Sequence, residues 1–182
     1  MSKIRKKSLQ EIQESKPSIV AIRQKKRLPL VLIVDSIRSL YNIGSFFRTG
    51  DAILIEKIYL CGISGSPPDA KIEKVALGAT NVVPFEYFSN VKECISNLKD
   101  DGYYIYALEL TDMSHNYANI DYRFPAALIV GNEVEGVSDE ALKMTDQAID
   151  IPMKGRANSL NVATAFAVVA YQIHNNFYGN KT

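Results

Sequence analysis

Two short runs constrain this chain more than anything else in it: "LVLIV" at Leu30–Val34 and "AALIV" at Ala126–Val130. Each is continuously apolar and opens into polar residues at its end. A strand covered on both faces reads this way, and such strands belong to parallel sheets with helical crossovers. The segments around them fit. "KIYLC" (Lys57–Cys61), Asn81–Phe85, Tyr103–Leu108 and Ala148–Ile151 read as further strands. Helices are expected from near Asn42 through Ala52, from a cap at Asp69 through Val75, over Val91–Leu98, after a cap at Ser138, and from near Leu160 to Phe177. Thr111 to Asn119 reads as a polar loop. The expected fold class is α/β, a mostly parallel sheet with helices on both faces. Ligands in such sheets bind beyond the carboxyl ends of the strands, so the polar residues after Val34, Val130 and Ile151 are the ones to examine.

A chain of 182 residues can bury a core of its own. No stretch approaches the roughly 20 apolar residues of a membrane span, and the N-terminus has no signal-peptide pattern, so a cytoplasmic protein without a membrane partner is expected. Cys61 and Cys94 are far apart and read as small buried apolar residues; with only His115 and His174 besides, no metal site is expected. Net charge is only +1, but its distribution is uneven. Residues 1–27 carry Lys3, Arg5, Lys6, Lys7, Lys16, Arg23, Lys25, Lys26 and Arg27 against Glu11 and Glu14, a balance of +7 that leaves the other 155 residues at −6. Residues 1–28 therefore read as a basic arm, with a helix expected around Leu9 and Ile12, ahead of a domain over 29–182. Such an arm suits a polyanion; a merely solvated tail explains the charge equally well.

Three polar constellations lie at strand ends. In "NIGSFFR", Asn42 suits a helix cap, Gly44 allows close backbone approach, and Arg48 could clamp a phosphate with its guanidinium. A surface arginine paired with Asp51 or Glu56 is the simpler alternative. In "GNEVEGVSDEAL", Gly131 and Gly136 bracket Glu133 and Glu135. A tight turn capped by Ser138 accounts for the glycines but not for Glu133, and carboxylates suit a cationic or hydroxyl-rich ligand. In "IPMKGRANSLN", Lys154 and Arg156 precede Ser159 and Asn161 at the start of the last helix. Positive charge is unfavourable there for the helix itself, which points to an anion. The glycine fingerprint of a dinucleotide enzyme is missing after the first strand, which argues against a nucleotide-dependent oxidoreductase.

In this order and spacing, the three stretches resemble the motifs of the SpoU–TrmH family of RNA 2′-O-ribose methyltransferases, of the SPOUT class. The matching positions are Asn42, Gly44 and Arg48; Gly131, Glu133 and Gly136; and Pro152, Ser159, Leu160 and Asn161. The resemblance covers roughly residues 29–176. It implies a C-terminal trefoil knot, S-adenosylmethionine as cofactor, an RNA partner (tRNA or rRNA) and a homodimer. It implies cofactor contacts at Leu108, Gly131, Ile151, Ser159 and Leu160, and a catalytic set of Arg48, Asn42, Ser159, Asn161 and Glu133. Because a guanidinium stays protonated, Arg48 is better read as a phosphate clamp than as a base. Glu133 is better read as shaping the cofactor loop. The last helix is apolar on nearly all sides, so one of its faces is expected at a subunit interface, with Val169 as a candidate contact. A non-catalytic RNA-binding module on the same fold is the alternative; loss of Arg48 or Asn161 would have favoured it.

Overall fold

The computed structural model describes residues 4–179. Seven strands form one sheet, and every adjacent pair runs parallel. In chain order they are β1 (Leu28–Asp35), β2 (Ile55–Cys61), β3 (Phe85–Phe88), β4 (Tyr104–Leu108), β5 (His115–Asn116), β6 (Ala126–Val130) and β7 (Gln147–Asp150), and in space they lie β3-β2-β1-β6-β4-β7-β5. The helices are α1 (Leu9–Glu14), α2 (Ile19–Arg23), α3 (Leu40–Ala52), α4 (Ala70–Ala76), α5 (Val91–Asp100), α6 (Asp139–Leu142) and α7 (Val162–Gly179).

The two apolar runs occupy the middle of the sheet, and both faces of each are covered. Alternation decides which side chain goes where. Leu28, Leu30, Leu32 and Val34 of β1 join Phe46, Phe47 and Phe166 on the α3–α7 side. Val31 and Ile33 face Ile95, Leu98 and Ala141 on the α5–α6 side. Phe46 of α3 meets Phe166 of α7 edge to face, with ring centroids 5.6 Å apart. Gly44 lets α3 sit against α4: a Cβ there would stand 2.6 Å from the Ile72 carbonyl oxygen. Cys61 and Cys94 are both buried in the α5-side core as free thiols.

The expected α/β class is realised, with differences in detail. Helix α3 begins earlier than expected, because Ser39 rather than Asn42 is its cap and accepts from the Asn42 N–H. The expected strand Asn81–Phe85 is a tight helical turn at Ala79–Asn81 followed by β3. Gly78 is left-handed there (φ 87°), and the Ala79 carbonyl takes the N–H groups of Val82 and Val83, so these two apolar residues pack into the core from a turn. The loop Thr111–Asn119 contains the two-residue strand β5, which pairs with β7 at the sheet edge.

The arm is helical around Leu9 and Ile12, and a second short helix, α2, follows under a Ser18 cap. The first strand begins at Leu28, inside the expected arm. Two of the basic residues of the arm serve the body of the protein. The Arg23 guanidinium donates to the Asn81 carbonyl at 2.7 Å, and Arg27 donates to those of Ile55 and Val82 at 2.9 and 2.6 Å. Lys3 lies outside the described residues. Among the described residues, no helix is long and apolar enough to cross a membrane, and no cluster of three or more His, Cys, Asp or Glu side chains is placed to hold a metal.

Candidate active site

A parallel sheet delivers the carboxyl ends of all its strands to one edge. Here the segments leaving β4, β6 and β7 enclose a cavity of about 850 Å³, together with the start of α7. That volume lies within the range of small-molecule sites. Leu108, Ile151 and Leu160 give it apolar wall, and Gly131, Ser159 and Asn161 line it as well. All five residues expected to contact a cofactor, Leu108, Gly131, Ile151, Ser159 and Leu160, are therefore brought to one cavity. Arg48 and Asn42 do not line it.

The loop after β6, residues 131–137, is held from three sides. The buried Asp35 carboxylate, at the end of β1, accepts the Ser138 N–H at 3.0 Å. Asn132 donates to the Ser36 carbonyl at 2.8 Å and accepts the Val134 and Glu135 N–H groups. Glu109, just past β4, accepts the Val137 N–H at 2.9 Å and the Leu110 N–H at 3.0 Å. Gly131 is required by this loop. A Cβ on it would land on the Gly136 and Val137 backbone, so the close approach is between two parts of the same turn. The tight turn read from the sequence thus accounts for this glycine without any ligand. Gly136 turns with φ 73° directly against the Glu109 carboxylate.

The three sequence constellations meet through one chain of hydrogen bonds. Glu133 accepts the Asn42 side-chain amide at 2.9 Å, and also the N–H groups of Arg38 and Ser39 at 3.3 and 3.2 Å. The Asn42 side-chain Oδ1 accepts from the Asn161 side-chain amide at 3.2 Å. Asn161 accepts the Ala163 and Thr164 N–H groups and so caps α7. Ser159, the other polar residue expected at the start of this helix, is an exposed residue of the cavity wall. Partial burial would raise the Glu133 carboxyl, but the hydrogen bonds from its own backbone, Asn42, Ser39 and Arg38 outweigh it and hold the group below the ordinary carboxylate value. An ionised Glu133 thus anchors the start of α3 and, through Asn42, the start of α7.

Arg48 is in a different situation. It is exposed, and among the described residues no side chain pairs with it; neither Asp51 nor Glu56 is its partner. Six residues separate it from Asn42, which places it about 120° around the helix axis from that residue. It shares an outward face with Tyr41. Lys154 and Arg156 are exposed and do not line the cavity.

The profile of the SpoU rRNA methylase family matches residues 29–171. The chain belongs to that family. Among its SpoU-family relatives is the tRNA (guanosine(18)-2′-O)-methyltransferase of Aquifex aeolicus, 33% identical over 152 residues, which span 83% of this chain and 71% of the relative. The crystal structure of the A. aeolicus TrmH/SpoU tRNA modifying enzyme superimposes with a TM-score of 0.80 at 30% identity, covering 90% of this chain and 84% of that one. The AdoMet-bound rRNA methyltransferase of Sinorhizobium meliloti superimposes with a TM-score of 0.77 at 25% identity, covering 85% of this chain and 59% of that longer one.

For a SpoU-family site, three contributors were not foreseen from sequence: Asp35, Glu109 and Asn132. Asp35 ends β1, Glu109 directly follows β4 and Asn132 follows the glycine after β6, and those positions were the available signal. Their bonding partners, 28 and more residues away, were not.

Proposed function

We propose that this protein is an S-adenosylmethionine-dependent methyltransferase that acts on a ribose 2′-hydroxyl of tRNA or rRNA and works as a homodimer. The observation that carries the reading is the Glu133–Asn42–Asn161 chain, which ties the three family motifs together beside a cavity of cofactor size. The residues present fit the cofactor. Leu108, Ile151 and Leu160 suit a flat apolar base, the strand-end backbone offers donors and acceptors, and among the described residues no lysine, arginine or histidine lines the cavity to repel a cation. When bound, the cofactor supplies an activated methyl group on a cationic sulfur.

The protein's share of the work is placement. Asn161, capping α7, and Asn42, fixed by Glu133, hold the lip of the cavity where a ribose must enter. The part of Arg48 is to hold an RNA phosphate and to stabilise negative charge developing on the 2′-oxygen. Arg48 is exposed, has no partner among the described residues and is turned away from Asn42, which supports a role at the cavity of a second subunit rather than its own.

The dimer reading has further support on α7. Phe166, Val169, Ala170 and Ile173 are fully buried within the chain. Val169 therefore faces its own core and is not available to a partner, contrary to the sequence expectation. Thr164 and Tyr171, with the half-exposed Val168 between them, form an outward stripe at helical spacing that remains for one. The trefoil knot belongs to the same reading: β7 is last in sequence yet lies inside the sheet between β4 and β5, and the segment leaving it faces the 131–137 loop across the cavity. We assign RNA backbone binding to the arm, through its exposed lysines. Transfer of labelled methyl groups from S-adenosylmethionine to bulk RNA, with the product mapped as a 2′-O-methyl nucleotide, tests the activity; absence of transfer to tRNA and to rRNA would reject it.

A further inference from the structure

The cavity wall is one-signed. Glu109, Glu133, Glu135 and Asp150 line it, and among the described residues no lysine, arginine or histidine does. These carboxylates are not equivalent. Glu133 spends both oxygens on the start of α3. Glu135 is exposed on the loop. Glu109 is half-buried and fixed: its own N–H donates to the Ile149 carbonyl at 3.0 Å, and its two oxygens accept the Leu110 and Val137 N–H groups. A Cβ on Gly136 would touch this carboxylate, so the loop backbone lies directly against it. The wall therefore holds a negative charge in place before any ligand arrives, which is the condition for a charge to act without reorganisation cost.

We propose that Glu109 is a specificity-determining residue that makes the cavity prefer the cationic sulfonium cofactor to its neutral thioether product. This rests on the methyltransferase reading above. Methyl transfer moves CH₃ from the cationic sulfur to the ribose oxygen, leaves the sulfur neutral with its electron pair, and releases the hydroxyl proton. The two nucleosides thus differ by one methyl group and one unit of charge, and a fixed carboxylate on the wall favours the first. Spent product then leaves more readily than cofactor.

Isothermal titration of S-adenosylmethionine and S-adenosylhomocysteine into the wild type and Glu109→Gln tests this. Glutamine keeps the size of the side chain and one acceptor, but not the charge. The expected result is an S-adenosylmethionine affinity about five- to tenfold weaker, with S-adenosylhomocysteine changed less than about twofold. A purely structural role would weaken both equally, and that outcome overturns the proposal, as does no change in either. If Glu109→Gln does not fold by circular dichroism, the wild-type affinity ratio decides. The wild type should bind S-adenosylmethionine more tightly than S-adenosylhomocysteine; equal affinities, or tighter binding of the product, overturn the proposal too. A wild type that binds neither nucleoside rejects the methyltransferase reading itself, whereas normal binding with equal losses in the variant rejects only the role of Glu109.

Discussion

Around the cavity, the polar side chains that shape the loops are held. Asp35 takes the Ser138 N–H, Asn132 takes a turn of its own loop, Glu109 takes the Val137 N–H, and Glu133 takes the start of α3. On the outward sides of α3 and α7 the opposite holds. Tyr41, Arg48 and Tyr171 are exposed, and Arg48 has no partner among the described residues. One region is finished by the chain alone, and the other presents groups with nothing to act on. A cofactor site gains from a rigid wall made before binding. On the proposed reading, a group that must meet RNA and a second subunit is left open until both arrive. The two regions should therefore fail differently when altered.

The sharpest separation is expected between neighbours on α7. Val169→Glu puts an uncompensated charge in the core and should cost about 3–5 kcal/mol, enough to unfold much of the chain in a thermal melt. Val168→Glu, one position away on the outward side, should melt close to the wild type yet sediment as a monomer. A folded Val169→Glu would break the assignment of the buried face. Next, Arg48→Ala should cost on the order of 10²–10³ in single-turnover methyl transfer with cofactor affinity within about twofold of wild type, because its contribution belongs to the transition state. If cofactor affinity fell with turnover, Arg48 would belong to the finished region after all.

Smaller effects sharpen the same contrast. Removing residues 1–17 deletes Lys3, Lys6, Lys7 and Lys16 but keeps α2, whose Ile22 packs against the core, together with Arg23 and Arg27, which bond to carbonyls of the body. RNA affinity should fall about tenfold at low salt with a shallower salt dependence, and thermal stability should hardly move. Loss of stability instead would make the arm part of the fold. The smallest expected change is in the titration of Glu133. Its folded carboxyl lies below the ordinary value of 4.5, so its stabilising contribution is present above that pH and is lost as pH falls through the lower folded value. Asn42→Ala should move the NMR midpoint of Glu133 upward, and an unmoved midpoint would remove Asn42 from the network.

The fold was largely legible because buried parallel strands leave long apolar runs. "LVLIV" and "AALIV" lie at the sheet centre. Edges were harder. β5 is two residues long, and its pairing with β7 leaves no periodic trace in "SHNY". At Val82 and Val83 the apolar signal was real, but it reported burial and not a strand. In the site, residues drawn from the motifs did converge, since Asn42, Glu133 and Asn161 bond to one another. Their roles were less visible. Asn42 reads like a helix cap but follows one, and Ser159 reads like one but leaves that position to Asn161. Choosing between adjacent polar residues at a helix start depends on which can reach a distant loop, and that information is tertiary. Asp35 and Glu109 were missed for the same reason: their partners are 103 and 28 residues away.

The central claim is that each cavity is complete within one chain while methyl transfer needs Arg48 from the other. Mixing two disabled chains tests it. Gly131→Ala should displace the 131–137 loop and weaken cofactor binding at least about tenfold, since its Cβ meets the Gly136 and Val137 backbone. Arg48→Ala keeps the cavity but lacks the clamp. Each variant alone should be nearly inactive. Co-expressed with two different tags and purified as the mixed dimer, they rebuild one site from the cavity of one chain and the Arg48 of the other, so roughly half the wild-type turnover per dimer should return in single-turnover transfer from labelled S-adenosylmethionine. A mixed dimer that forms normally and stays as inactive as its parents would contradict the account, because Arg48 would then serve the cavity of its own chain.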